Sequence, residues 1–249
     1  DVRAARDRVV PVLRDLAPDV RVDEARRADR RVLFWAYLCV PLQYWWVWKQ
    51  WYHMFLIFIP VWAFLFIAMR MVLRGETKDF LRAAGTIHWG LMTMVFGLSH
   101  LAYLLVLPDG SNVPAHGAAL LLFVVLLTEL NDVLQYVWGK LLGKHKVAPE
   151  LSPSKTWEGL IGGVASATAL GAGLYWITPF APWQAGAIAF VLCLMGFLGG
   201  LVMSAIKRDR GVKDWGTLIE GHGGMLDRLD SVVFAAPVFF HLVRYHWTP

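Results

Sequence analysis

Residues 183–230 read WQAGAIAFVLCLMGFLGGLVMSAIKRDRGVKDWGTLIEGHGGMLDRLD. The first 24 of them, 183–206, contain no Asp, Glu, Lys or Arg. A helix of that length covers the roughly 30 Å hydrocarbon core of a bilayer. The stretch 204–230 then packs ten charged residues among glycines, and 231–245 is again uncharged until Arg244. Ionisable groups so close to hydrocarbon are costly unless solvated, paired or bound to an ion. A long apolar run, a dense polar insert and a second apolar run therefore describe a helical membrane protein with a working surface at one boundary.

The remainder of the 249 residues agrees. Hydrophobic residues make up 57% and charged residues only 17%, against about 25% charged in soluble domains. Thirteen tryptophans suit a chain with many interfacial positions. Cys39 and Cys193 both fall in apolar runs and read as buried thiols, not as a disulfide framework. Asp1 is not an initiator residue, so the sequence is expected to begin downstream of the native start. A net charge of +5 could suggest a nucleic-acid partner, but the placement of the charge argues against one.

That placement also orders the spans. Residues 1–31 are arginine-rich, with Val9, Val10, Leu13 and Leu16 at helical spacing, and read as a cytosolic amphipathic segment on an anionic leaflet. Seven apolar stretches follow, near 32–48, 51–73, 83–107, 115–138, 159–177, 183–206 and 231–245. With the N-terminus inside, the cytosolic segments hold 22 of the 24 Lys and Arg residues, leaving out only Lys49 and Arg244. This is the asymmetry that the positive-inside rule requires. The expected fold is all-α and polytopic, with about seven transmembrane helices forming one domain over 32–249. No internal repeat or linker interrupts it. The polar segments 129–159 and 204–230 then fall on the same, cytosolic face.

The first of these reads ELNDVLQYVWGKLLGKHKVAPELSPSKTWEG over 129–159. Glu129, Asn131 and Asp132 sit near the inner end of the fourth stretch, where such groups usually face a bundle interior or a watery cavity. The plain alternative is that the helix ends earlier and Asp132 is solvated. Gly139-Lys140 and Gly143-Lys144, with Lys146, could approach a phosphate closely, although the P-loop spacing is absent. They could equally be a positive-inside loop with helix-ending glycines. In SPSKTWEG, the hydroxyls of Ser152, Ser154 and Thr156, with Lys155 and a helix N-terminus, could cradle an anion or simply cap the fifth helix.

In the second segment, His222-Gly223-Gly224 offers a flexible backbone whose amides can converge on one ligand. Asp227 and Asp230 are three apart, which on a helix places both carboxylates on one face, within reach of a single Mg²⁺. The plain alternative is that they complement a helix dipole.

The run from Ser204 to Asp230 resembles the signature of the phosphatidate cytidylyltransferase (CDP-diacylglycerol synthase) family. The match is carried by Ser204, Lys207, Arg208, Lys213, Asp214, Gly216, His222, Gly223, Gly224, Asp227, Arg228 and Asp230. SPSKTWEG, Asn131-Asp132 and the spaced Gly-Lys pairs resemble the family's other shared stretch, so the likeness covers roughly 129–235. It implies transfer of a cytidylyl group from CTP to phosphatidate, with CDP-diacylglycerol and pyrophosphate as products. By that resemblance the catalytic group is Lys207, Arg208, Lys213, Asp214, His222, Asp227 and Asp230. The substrate-binding group is Lys144, Ser152, Ser154, Lys155, Thr156, Ser204, Gly223, Gly224 and Arg228. Asp132, Asp227 and Asp230 are the expected ligands of Mg²⁺, with a second cation in view. The implied partners are CTP, phosphatidate or a related lipid phosphate, membrane lipids and a second copy of the chain. The implied location is a multi-pass position in a bacterial inner membrane, with the active site facing the cytoplasm.

Three positions depart from the family pattern. An Asp and a Glu usually precede the serine, where this chain has Gly200 and Met203, and the proline usually found before GHGG is Glu220. Two missing acids imply a divergent lipid phosphate, one fewer bound cation, or a weakened or non-catalytic relative acting as a partner subunit. Two other classes fit less well. A CDP-alcohol phosphotransferase would show a denser array of acids. A transporter would scatter its charges at mid-bilayer depth through several spans.

Overall fold

A computed structural model describes residues 30–75, 79–107, 117–216 and 224–247. The amphipathic segment expected within 1–31 and the loop residues His222 and Gly223 lie outside these, apart from Arg30 and Arg31. Most of the described residues are helical. Helix α1 is Arg30–Trp48 and α2 is Tyr52–Val72. Helix α3 (80–104) runs through Phe80–Gly90, Leu91–Gly97 and Leu98–Leu104. Then come α4 (Gly117–Leu142), α5 (Trp157–Gly173), α6 (Pro182–Asp209) and α7 (Leu226–Trp247).

Three of these, α2, α4 and α6, are long and apolar enough to cross a membrane. Helices α1, α3, α5 and α7 coincide with the other four apolar stretches. The boundaries differ where polar residues prolong a helix. Helix α4 continues to Leu142, so Glu129, Asn131 and Asp132 lie well inside it and not at its end. Helix α7 starts at Leu226, which takes Asp227 and Asp230 into its first turns.

The all-helical expectation needs one correction. Residues 146–156 form an antiparallel hairpin, β1 (Lys146–Ala148) with β2 (Ser152–Thr156), which pairs Lys146 with Thr156 and Ala148 with Ser152. Glu158 at the start of α5 closes it, accepting from the amides of Lys144 (3.0 Å) and His145 (3.2 Å) and meeting His145 Nδ1 at 2.6 Å. These contacts hold the Glu158 carboxyl well below its ordinary value, at about 2.

The described residues form two compact units. In one, built around α1, α2, α3 and the end of α7, buried Gln43 donates to the Phe55 carbonyl and to Ser99 Oγ, both at 3.2 Å. Phe55, Tyr103 and Phe240 pack beside it, with ring centroids 4.8–6.0 Å apart. A wide π-helical stretch, Phe58–Ala63, interrupts α2 around Pro60, whose ring nitrogen cannot donate to the helical ladder. Leu91–Gly97 of α3 is π-helical too. Cys39 is a free buried thiol in this unit and Cys193 one in the other.

The other unit holds most of α4, the hairpin, α5, α6 and the beginning of α7. Its α5–α6 pair is tightly packed: a Cβ on Gly171 would stand 2.3 Å from that of Ala189. Small residues at such contacts let membrane helices approach closely. Helix α6 stops at Gly211, whose φ of +69° suits glycine and turns the chain out of the helix.

Candidate active site

Helices α4, α5, α6 and α7 and strand β2 surround a pocket of ≈ 230 Å³. Its polar lining is Asp132, Gln135 and Tyr136 from α4, Ser154, Lys155 and Thr156 from β2, Ser204 from α6, and Asp230 and Ser231 from α7. Residues almost a hundred positions apart in sequence thus face one cavity. The local causes are plain. Asp132 and Gln135 are three apart on a helix and share a face. Gly200 and Ser204 are four apart on α6, and the Ser204 hydroxyl donates back to the Gly200 carbonyl at 2.7 Å.

The two pocket carboxylates are joined through Ser231, whose hydroxyl donates to Asp132 Oδ2 and lies 3.5 Å from Asp230 Oδ1. Lys155 enters from the hairpin. Its Nζ stands 4.7 Å from the centroid of the buried Phe197 ring, within the reach of a cation–π contact. Gln135 Nε2 is buried with no hydrogen-bond partner among the described residues. An orphaned donor on a pocket wall suits a ligand that accepts hydrogen bonds.

Asp227 is placed differently, although it is only one turn from Asp230. Its Oδ1 takes the ammonium of Lys207 at 2.9 Å, and its Oδ2 accepts from the amides of Trp215 (2.8 Å) and Gly224 (2.9 Å). Lys207 also stands 3.8 Å from Asp230 Oδ2. Both carboxylates therefore do share a cation, and among the described residues it is a buried lysine. The Asp227 clamp fixes the two ends of the loop between α6 and α7, and Asp227 does not line the pocket.

The other candidate residues spread over this surface. Arg208 is exposed and donates to the Leu151 carbonyl at 3.3 Å, tying the end of α6 to the hairpin turn. Lys213, Asp214, Arg228 and Lys144 are exposed outside the pocket lining, and Ser152 is half-buried near Ser154. Thr156 caps α5 by accepting from the Gly159 amide at 3.1 Å. The spaced glycines serve helix packing. A Cβ on Gly143 would stand 2.8 Å from Thr156 Oγ1, and one on Gly159 would stand 2.7 Å from the Gln135 carbonyl oxygen.

Sequence reasoning missed Gln135, Ser231 and Glu158. The first two carried a signal, since Gln135 follows Asp132 by three on a helix and Ser231 adjoins Asp230. Glu158 gave none, because its partners lie across a turn.

Asp132 and Asp230, with the hydroxyls of Ser204 and Ser231, form an oxygen set that fits a hard divalent cation. Mg²⁺ is commonly held by one or two carboxylates plus substrate phosphates. No group of three His, Cys, Asp or Glu side chains suited to a metal occurs among the described residues.

The chain is 48% identical over 214 residues to the Escherichia coli (strain K12) protein named "Uncharacterized protein YnbB", covering 85% of this chain and 70% of that one. Over 126 residues, half of this chain, it is 41% identical to the phosphatidate cytidylyltransferase of Mycobacterium leprae and 40% identical to that of Staphylococcus aureus (strain COL). It spans 40% and 48% of those two proteins, respectively. The family model described as "Cytidylyltransferase family" matches residues 20–246, nearly the whole sequence, and the chain belongs to that family of nucleotidyltransferases.

Proposed function

We propose that the protein is a multi-pass membrane enzyme that transfers the cytidylyl group of CTP to a lipid phosphate, phosphatidate in the first instance. The convergence of Asp132, Asp230, Lys155 and Ser204 on one pocket, in a chain of this family, carries the reading. The similarity to proteins named phosphatidate cytidylyltransferase supports the choice of lipid. All seven helices cross the bilayer in this reading, with the pocket toward the cytoplasm. The distribution of Lys and Arg supports that orientation.

A phosphate monoester is already largely dianionic near neutral pH, its second pKa being about 6, so no strong general base is needed. An oxygen of the lipid phosphate attacks the α-phosphorus of CTP, the bond from that phosphorus to the bridging oxygen breaks, and pyrophosphate leaves. The obstacle is bringing two polyanions together. Lys155 offsets part of their charge at the pocket wall, and Gln135 Nε2 donates to a phosphate oxygen. Lys207 holds Asp227 and Asp230 in place from behind. Asp132 and Asp230 would hold Mg²⁺, which when bound supplies charge neutralisation for the triphosphate. Acyl chains stay in the bilayer while the headgroup enters the pocket.

The deciding experiment incubates purified protein with Mg²⁺, a panel of nucleoside triphosphates and several lipid phosphates, and identifies products by mass spectrometry. The expected outcome is a CDP-lipid and pyrophosphate formed from CTP. The reading fails if no nucleotide–lipid product forms from any pair. CTP binding without turnover would instead favour the inert partner subunit, which the absence of acids at Gly200 and Met203 makes the second reading.

A further inference from the structure

Gly200 lies on the pocket face of α6, and what stands beside it is an ammonium. A Cβ at Gly200 would be 3.1 Å from Lys155 Nζ and 3.6 Å from Ser231 Oγ. The Lys155 head is thus set in the space that a side chain at position 200 would occupy, over the buried Phe197 ring one turn earlier on the same helix. Met203, on the next turn, is buried and apolar. The α6 wall therefore offers no acid of its own, and the carboxylates of the pocket come from α4 and α7.

We propose that Gly200 is a positioning residue: its missing side chain seats Lys155 as a fixed, protein-borne cation that binds substrate phosphate in the absence of a divalent metal. The inference rests on the phosphate-binding reading of this pocket and deepens it. A lysine on a hairpin strand gains such a role only if the helix opposite leaves room for it. Any side chain at 200 would have to push the ammonium aside. Because that ammonium ends a flexible chain, Gly200→Ala displaces it by a few tenths of an ångström without unfolding the helix pair. A carboxylate at 200 would go further. It would pair with Lys155 and bring a third acid to Asp132 and Asp230, a donor set suited to a hard cation.

The test is calorimetric titration of purified protein with inorganic pyrophosphate in EDTA, with thermal melts confirming that each variant is folded. Wild type binds. Lys155→Met weakens binding by about tenfold or more, the scale of one lost hydrogen bond to a charged group. Gly200→Ala and the neutral Gly200→Asn weaken it by several-fold through displacement alone. Gly200→Asp binds only when Mg²⁺ is added, a dependence that mere loosening of the helix would not create. The proposal is overturned if wild type fails to bind pyrophosphate in EDTA, or if the folded Gly200 variants bind it as wild type does. Turnover of CTP with a lipid phosphate is a separate measurement. Its failure would leave the pyrophosphate result to stand or fall alone.

Discussion

Asp227 and Asp230 occupy successive turns at the start of one helix, yet their surroundings differ in kind. Among the described residues, Asp227 takes a lysine ammonium on one oxygen and two backbone amides on the other. Around Asp230 there is a cavity shared with Asp132, Lys155 and Ser204. The same side chain, repeated after three residues, is a loop fastener in one place and a pocket wall in the other. Spacing alone puts two acids on a face, and what lies opposite each decides its work.

The sharpest way to break this contrast is to neutralise each acid in turn. Asp230→Asn and Asp132→Asn should lower CDP-lipid formation by on the order of a hundredfold while leaving the melting temperature nearly unchanged. Asp227→Ala should do the reverse in rank. It takes the nearer carboxylate from the buried Lys207 ammonium, leaving Asp230 at 3.8 Å, and frees two amides, at a cost of about 3 kcal/mol, read as a fall of about 5–10 °C in melting temperature. Pairing Asp227→Leu with Lys207→Met should recover much of that loss. If Asp227→Ala melted normally but was inactive, the division between fastener and pocket wall would be wrong.

Gly159→Ala comes next. Its methyl would meet the Gln135 carbonyl at 2.7 Å, so a loss of about 1–3 kcal/mol should appear in thermal melts. The smallest effect belongs to the hairpin clip. The Glu158 carboxyl drops from an ordinary 4.5 to about 2 on folding, so its contribution is complete above about 4.5 and is lost as pH falls toward 2. Hydrogen exchange at the Lys144 and His145 amides, corrected for intrinsic rate, should stay protected from pH 7 to 5 and open only in that acid window. Glu158→Gln should remove the pH dependence.

Much of this was legible in the sequence. Charge-free runs gave the helices, and the meeting of 129–159 with 204–230 followed from lysine and arginine placement. Asp132, Lys155, Ser204 and Asp230 do line one pocket. What was hidden depended on contacts across the fold. Asp227 looked like its neighbour because the Trp215 amide that claims it is twelve residues away in a loop. The Gly-Lys pairs looked like a phosphate approach because nothing local reveals that Thr156 packs against Gly143. The hairpin at 146–156 escaped notice because two strands of three and five residues carry almost no periodicity.

The wide stretch Phe58–Ala63 in α2 bears on how that helix tolerates change. Ile59, Ala63, Ile67 and Met71 are all buried and recur every four residues. At 3.6 residues per turn each four-residue step advances about 40°, so three steps would carry that seam about 120° around a regular helix. Extra residues per turn in the wide stretch slow the rotation and keep the seam against its neighbours. Deleting one residue between 59 and 63 would let the coil tighten and leave Ile67 and Met71 seven and eleven places beyond Ile59, a spacing that a regular helix keeps on one face, so this segment can lose one residue without turning its buried seam outward.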